Sequence, residues 1–317
     1  MGKRRIRCLY KLGVPANHII GFDCREDRRL EAEDKYGIST FDSFEASVAE
    51  KPDVHIISLP PDLHVEYARL SIKHGMHFFT EASVVNDGVA EMMADLQGTN
   101  LIAAPSCTLR FFPLVKRIKQ LVDDGAIGKI LSFTFHCGEY LPDWHPYEAI
   151  QDFYVSKRET GGCREIVPFE LVWLVWIFGD IDSIVAFKGK QSTLDVDIDD
   201  VYQVIMQFEE GQLGHVLIDV VARSLVRNGR MISEEGIIEW DYVTNVVRVY
   251  HVDTCAWTEY DESYDDIEDF YADEIKAVID AVEGKAPYPY TFDEDHKLLN
   301  WLVDAETNGA KIQYGNP

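Results

Sequence analysis

The chain has 317 residues, 46% of them apolar, with 30 basic and 55 acidic side chains and a formal charge of −25. The length predicts two domains, and so negative a surface repels phosphate backbones and anionic lipid, which excludes nucleic acid and membrane as partners. No apolar run reaches the ~18 residues of a bilayer span. The start, MGKRRIRCLY, lacks the apolar core of a secretory signal, and six cysteines without a CxxC pair predict reduced thiols in a cytoplasmic protein.

Strands and helices alternate over the first part of the chain. Residues 3–12 put Ile6, Leu9 and Tyr10 on one helical face and stop near Gly13. IIGFD (19–23) is a short strand ending in an acid, and 26–37 is a charged helix closed by Gly37. VHIISLPP (54–61) reads as a strand stopped by two prolines, 63–75 as a helix closed by Gly75, and 77–79, 87–96 and 100–104 as strand, helix and strand. This rhythm predicts βαβ units and a parallel sheet covered on both faces. It changes at a long strand, 130–140, followed by a loop rich in Pro, Asp and aromatics. Residues 165–178 form a helix apolar nearly all round, hence buried. The stretches 183–187, 201–208, 212–221, 236–242 and 246–252, several separated by turns such as Glu209-Glu210-Gly211, predict an antiparallel meander, and helices at 266–283 and 293–307 close the chain.

A doubly wound sheet binds its ligand at the carboxyl ends of its strands. Asp23, at such an end, can accept hydrogen bonds from ribose hydroxyls and would repel a 2′-phosphate, a repulsion that nearby Arg25 can offset. Leu59 and Pro60 lie in a turn with little freedom that can support a flat ring. His64 opens the next helix, either as part of this site or as an ordinary surface residue.

The runs GKRRIRCLYKLG (2–13), IIGFD (19–23), SLPPDLHVEYA (58–68), LRFFP (109–113), GAIGKILS (125–132), GEYLPDWHPYE (138–148) and EEGIIEWDY (234–242) together resemble the Gfo/Idh/MocA family of oxidoreductases and cover nearly the whole chain in order. The resemblance implies an α/β N-terminal domain (1–108), with a Rossmann-like doubly wound parallel sheet. It also implies an α+β C-terminal domain (109–317) with a large, mostly antiparallel sheet through which copies form a homo-oligomer. It implies NAD(H) more than NADP, a sugar or nucleotide-sugar substrate, and a cofactor site of Gly2, Asp23, Arg25, Leu59, Pro60, His64 and Glu81.

Three departures set this sequence apart. The family opens with a strand and G-x-G-x-x-G, whose glycines let the backbone approach a pyrophosphate; here only Gly2 remains and the first strand is absent, so the chain reads as N-terminally shortened. The family's Glu-Lys-Pro is Glu81-Ala82-Ser83, without the lysine ammonium that steadies a developing oxyanion. The family's helical aspartate and histidine fall on Ile166 and Phe169 in GGCREIVPFELVW (161–173), both apolar. General acid/base assistance is worth about 10²–10⁴-fold, so losing all three groups predicts very slow hydride transfer. Loop 138–154 offers replacements: Tyr140 and His145 as catalytic candidates, and Tyr140, Trp144, His145 and Tyr154, with Arg110, as substrate-binding candidates. Packing of the loop onto the sheet is the alternative reading, and for Arg110 the alternative to holding an anionic group is a structural ion pair. No metal-ligand spacing is present. Two functions follow from the residues: a sugar oxidoreductase, or a catalytically silent relative that binds a sugar or a partner.

Overall fold

The computed structural model describes residues 1–144, 149–152 and 154–314. Two compact units divide the chain. The first comprises Met1–Ala82, Asp87–Thr108 and Asp266–Asp295; the second comprises Ser83–Asn86, Leu109–Asp265 and the residues from His296 onward.

The first unit begins with helix α1 (Gly2–Lys11) and continues through β1 (Ile20–Phe22), α2 (Glu26–Tyr36), β2 (Ser39–Phe41), α3 (Phe44–Ala49), β3 (Val54–Ile57), α4 (His64–Lys73), β4 (His77–Thr80), α5 (Val89–Leu96) and β5 (Ala103–Pro105). The second unit holds α6 (Pro113–Asp123), β6 (Ser132–Gly138), α7 (Cys163–Phe178), β7 (Ile181–Gly189), β8 (Val201–Phe208), β9 (Leu213–Asp219), β10 (Val226–Ile232), β11 (Gly236–Asp241), β12 (Val246–His251) and β13 (Ala256–Asp261). Helix α8 (Glu268–Val282) belongs to the first unit, and α9 (Phe292–Tyr314) follows it.

The parallel strands of the first unit form two separate sheets, β1–β2 and β3–β4–β5. The doubly wound pattern expected from the alternation is therefore present in two pieces, and β1 and β3 each keep one edge without a ladder partner among the described residues. Side chains hold the pieces together. Phe22 of β1 stacks on Tyr67 of α4 at 6.1 Å and meets Phe44 of α3 edge-on at 6.1 Å, and Phe44 and Tyr67 both reach His55 of β3. Aromatic pairs at these separations each add about 0.5–1.5 kcal/mol beyond burial.

The sequence reading places α8 in the second domain, but α8 packs in the first unit. Ala272, Ile275 and Val278 recur at helical spacing and close over Cys8, Phe79 and Ala104. A buried ion cluster reinforces the contact: Arg5, 2% exposed, lies between Glu81 and Glu274, with Nη2 at 2.7 and 2.9 Å from their carboxylates. Glu274 also accepts from the hydroxyls of Ser106 and Thr108 and the amide of Cys107. Arg5 holds Glu81 below the usual carboxylate range, whereas burial pushes Glu274 above it. Such a cluster contributes little net stability, but losing Arg5 would strand two buried acids.

The second unit is a sheet ordered β13–β12–β11–β10–β6–β9–β8–β7. It departs from the expected simple meander, because β6 lies between β10 and β9 and pairs parallel to β9. Helix α7 separates β6 from β7 in sequence and is itself covered by one sheet face. Alternation on β8 sends Tyr202, Val204, Met206 and Phe208 inward, where Phe208 meets Phe178 of α7, and Phe178 stacks on Phe133 of β6 at 4.6 Å. Trp173, 2% exposed, packs edge-on against Phe135 and Trp240. Burial of each such ring stabilises by about 2–3 kcal/mol.

Candidate functional site

In the first unit the carboxyl ends of β3 and β4 meet the start of α1. The amides of Gly2 and Lys3 open that helix without intrahelical acceptors, as first-turn amides must. A side chain at Gly2 would lie 3.9 Å from the Ser58 Cβ, so the helix end stands close to the β3 edge. Glu81, just past β4, is held on both oxygens: Arg5 Nε donates to Oε1 at 2.8 Å, Arg5 Nη2 to Oε2 at 2.7 Å, and Ser58 Oγ to Oε1 at 2.9 Å. The family-type assignment of Glu81 to the cofactor therefore acquires a structural component, for its acceptors are already engaged.

Asp23 directly follows β1. Its Oδ1 accepts from the Arg25 amide at 2.8 Å, and Arg28 stands 3.8 Å from Oδ2. The Arg25 guanidinium turns instead to Asp27, so the arginine expected beside Asp23 is not the one the fold supplies. Arg28 and Arg29 face Asp23, the latter donating to its carbonyl at 2.8 Å. They were legible only through the helical spacing of α2.

Leu59 and Pro60 form the expected turn, which His64 latches. His64 is 4% exposed, not a surface residue, and its Nε2 bonds the Leu59 carbonyl at 2.9 Å. Because a carbonyl only accepts, Nε2 carries the proton, and Nδ1 is left buried without a partner. Burial lowers the pKa of this ring and keeps it neutral. His64 thus shapes the Leu59–Pro60 turn from behind.

In the second unit the start of α7 is built by two glycines. A side chain at Gly161 would lie 2.1 Å from the Val155 carbonyl oxygen, so only glycine lets the 154–156 segment approach, and Gly162 caps the helix at φ 62°. The approach brings the Tyr154 hydroxyl onto Glu165 Oε1 at 2.5 Å. Glu165 Oε2 is buried without a hydrogen-bond partner, and burial raises this carboxyl to about 7 against the pull of Tyr154. Its neighbour Arg164 is committed to Glu306 and to the Val84 and Glu159 carbonyls; Val84 lies two residues beyond Ala82. Further along, Glu170 is 1% exposed, pairs with Arg227 and accepts from Trp173 Nε1 at 2.7 Å. Pro168, inside α7, cannot donate to the Arg164 carbonyl.

Glu165 and Glu170 flank the apolar Ile166 and Phe169, and the sequence reading passes over both. Their signal was an acid within an otherwise apolar helix, which a buried position must pair or protonate. Of the loop candidates, Tyr140 lies under the Arg223 guanidinium at 3.7 Å, and Trp144 has its Nε1 buried without a partner. His145 lies outside the described residues. Arg110 stands in the interior of the second unit. It is 6% exposed, donates from Nε to the Val172 carbonyl at 3.1 Å, and lies over the Trp176 ring. A concavity of about 700 Å³ lies elsewhere, on the sheet face away from α7, lined by residues including His136, His215, Arg230, Glu239 and Arg248. Among the described residues no His, Cys, Asp or Glu group is placed to hold a metal ion, and no helix is long and apolar enough to cross a membrane.

Comparison with known proteins bears on both units. The family described as "Oxidoreductase family, NAD-binding Rossmann fold" matches residues 3–93, and the "GFO/IDH/MocA C-terminal domain" matches 115–239. The chain is 25% identical over 262 residues to levoglucosan dehydrogenase of Pseudarthrobacter phenanthrenivorans, covering 72% of this chain and 66% of that protein. A structure of levoglucosan dehydrogenase with NADH and levoglucosan superposes with a TM-score of 0.85 at 18% identity, over 98% of this chain and 95% of that one. UDP-N-acetylglucosamine 3-dehydrogenase of Acidithiobacillus ferrooxidans superposes with a TM-score of 0.78 at 17% identity, over 96% and 93%. The likeness at this identity is one of fold.

Proposed function

We propose that this chain, which belongs to the Gfo/Idh/MocA family of oxidoreductases, is an NAD(H)-linked oxidoreductase acting on a hydroxyl of a sugar or nucleotide-sugar. The observation that carries the reading is Asp23, a carboxylate at the carboxyl end of a parallel strand, fixed by the Arg25 amide and half-exposed. The donor set fits a dinucleotide. Asp23 would hold ribose hydroxyls, the free first-turn amides of Gly2 and Lys3 suit a pyrophosphate, and the turn latched by His64 offers Leu59 and Pro60 to a ring. When bound, the nicotinamide supplies the hydride acceptor or donor. The Asp23 carboxylate, which would repel a 2′-phosphate, favours NAD(H) over NADP. Relatives named for levoglucosan and UDP-N-acetylglucosamine support a sugar-type substrate, for which Tyr140 and Trp144 offer rings and a buried indole donor.

Ala82, Ile166 and Phe169 favour a second reading, a catalytically silent sugar-binding relative. Titration with NADH, followed by cofactor fluorescence, tests the first. We expect saturable binding by the wild type, weakened about tenfold, roughly 1.4 kcal/mol, in Asp23→Ala. No binding at millimolar NADH overturns the oxidoreductase reading. Turnover of a panel of nucleotide sugars then separates an enzyme from a silent binder.

A further inference from the structure

Helix α7 lacks the expected acid and base at Ile166 and Phe169, yet its first turn carries a proton-bearing pair of a different kind. The pair stands on geometry. Gly161 lets the Val155 backbone press against the helix start, Thr160 Oγ1 donates to the Tyr154 carbonyl at 3.0 Å, and the Tyr154 hydroxyl is thereby fixed on Glu165 Oε1. Glu165 Oε2 receives no donor, so the carboxyl has a single hydrogen bond where a buried carboxylate normally collects two or three. A carboxyl so poorly satisfied retains an affinity for a proton.

We propose that Tyr154 and Glu165 form the proton-transfer pair of this protein, Tyr154 touching the substrate hydroxyl and Glu165 acting through it. The proposal rests on the oxidoreductase reading above. In the oxidation direction the substrate O–H proton passes to the Tyr154 oxygen as the Tyr154 proton passes to Glu165 Oε1. The carbinol C–H bond breaks with its electron pair leaving as hydride to NAD+, and the O–H electron pair closes the C=O bond. Glu165 ends the step neutral and later releases its proton to water; reduction runs the same transfers in reverse. The relay supplies acid/base function at neutral pH without a histidine, because no charged side chain contributes to the Glu165 shift, which burial sets and Tyr154 opposes.

The pair is tested in the full chain with Glu165→Gln and Tyr154→Phe, each checked for folding by its thermal melt. Infrared spectroscopy of the protein without cofactor is the readout independent of turnover. We expect protonated-carboxyl stretches that titrate with midpoints near 7 from Glu165 and Asp295, of which Glu165→Gln removes one and Asp295→Asn the other. Both variants should bind NADH like the wild type but lower kcat by roughly 10²–10⁴-fold, with loss of the corresponding limb of the pH–rate profile in Glu165→Gln. If Glu165→Gln does not fold, Tyr154→Phe carries the kinetic test alone. Turnover unchanged in either folded variant, or a carboxyl titration that Glu165→Gln leaves unchanged, overturns the relay and leaves the oxidoreductase reading standing. A wild type that binds no NADH overturns both.

Discussion

Burial pushes two carboxyls, Glu165 and Asp295, up to about 7. Each has one hydrogen-bonding phenol, Tyr154 and Tyr290 respectively, and no cation to favour the charge. Unfolded, the two acids titrate near 4.5 and 3.8. Between those values and 7 the folded chain holds protons that the unfolded chain has released, so stability falls as pH rises through this window. At about 1.4 kcal/mol per unit, Glu165→Gln and Asp295→Asn should each remove roughly 2 kcal/mol of the stability lost between pH 5 and pH 8. Urea melts at the two pH values measure it; a variant with the wild-type pH slope contradicts the burial argument. Ala82, Ile166 and Phe169 are informative at the same scale. No substitution of one side chain reinstates what they lack; on α7 itself the glutamates Glu165 and Glu170 stand beside the last two.

At the scale of elements, α7 matters most. It is apolar nearly all round, so the sheet must cover it, and a polar group on it survives only if paired or protonated. Glu170 is paired with Arg227; Glu165 is the one that burial keeps basic. The glycine pair before the helix decides how closely the 154–156 segment approaches. Gly161→Ala would place a methyl 2.1 Å from the Val155 oxygen, and the segment must shift. We expect a destabilisation of about 1–3 kcal/mol together with a fall in the infrared midpoint of Glu165 as water reaches the carboxyl. An alanine variant with wild-type stability and midpoint shows that the close approach is dispensable. Helix α8 makes the complementary point: its Ile275 and Val278 spacing was legible, but its choice of the first unit rests on Arg5 and Glu274, which are 269 positions apart in sequence.

For the whole molecule, the sheet face away from α7 is the exposed feature of note. Register places Val185, Ile205, His215, Thr134, Arg230, Glu239, Arg248 and Glu259 in one row across it. Its far end is a ladder of alternating charge and its near end is apolar, with Ile205 and Leu213 47% and 53% exposed. We propose this face as the homo-oligomer surface, since a second copy would cover the apolar end and meet the charges with charges of opposite sign. Ile205→Glu with Leu213→Glu should convert the oligomer to monomer in light scattering. With a net charge of −25 on each copy, raising the salt should strengthen association of the wild type. An oligomer indifferent to both glutamates would move the interface elsewhere.

The sequence alone determined the βαβ alternation, the buried character of α7 and the strong alternation of β8, because each is written in local periodicity. It left β10 and β13 unread, since Val226–Ile232 is polar on both faces and Ala256–Asp261 is nearly all exposed, so neither shows a period of two. Helix α6 stood legible in Leu114, Val115, Ile118 and Leu121 but was passed over. Tertiary structure alone decided that β6 sits beside β9, that α8 joins the first unit, that His64 is a buried latch, that Arg110 is buried, and that Glu165 meets Tyr154. Each of those facts depends on which distant atoms displace water from a side chain. Burial sets whether a carboxyl or an imidazole is charged, and burial is a property of the packed chain.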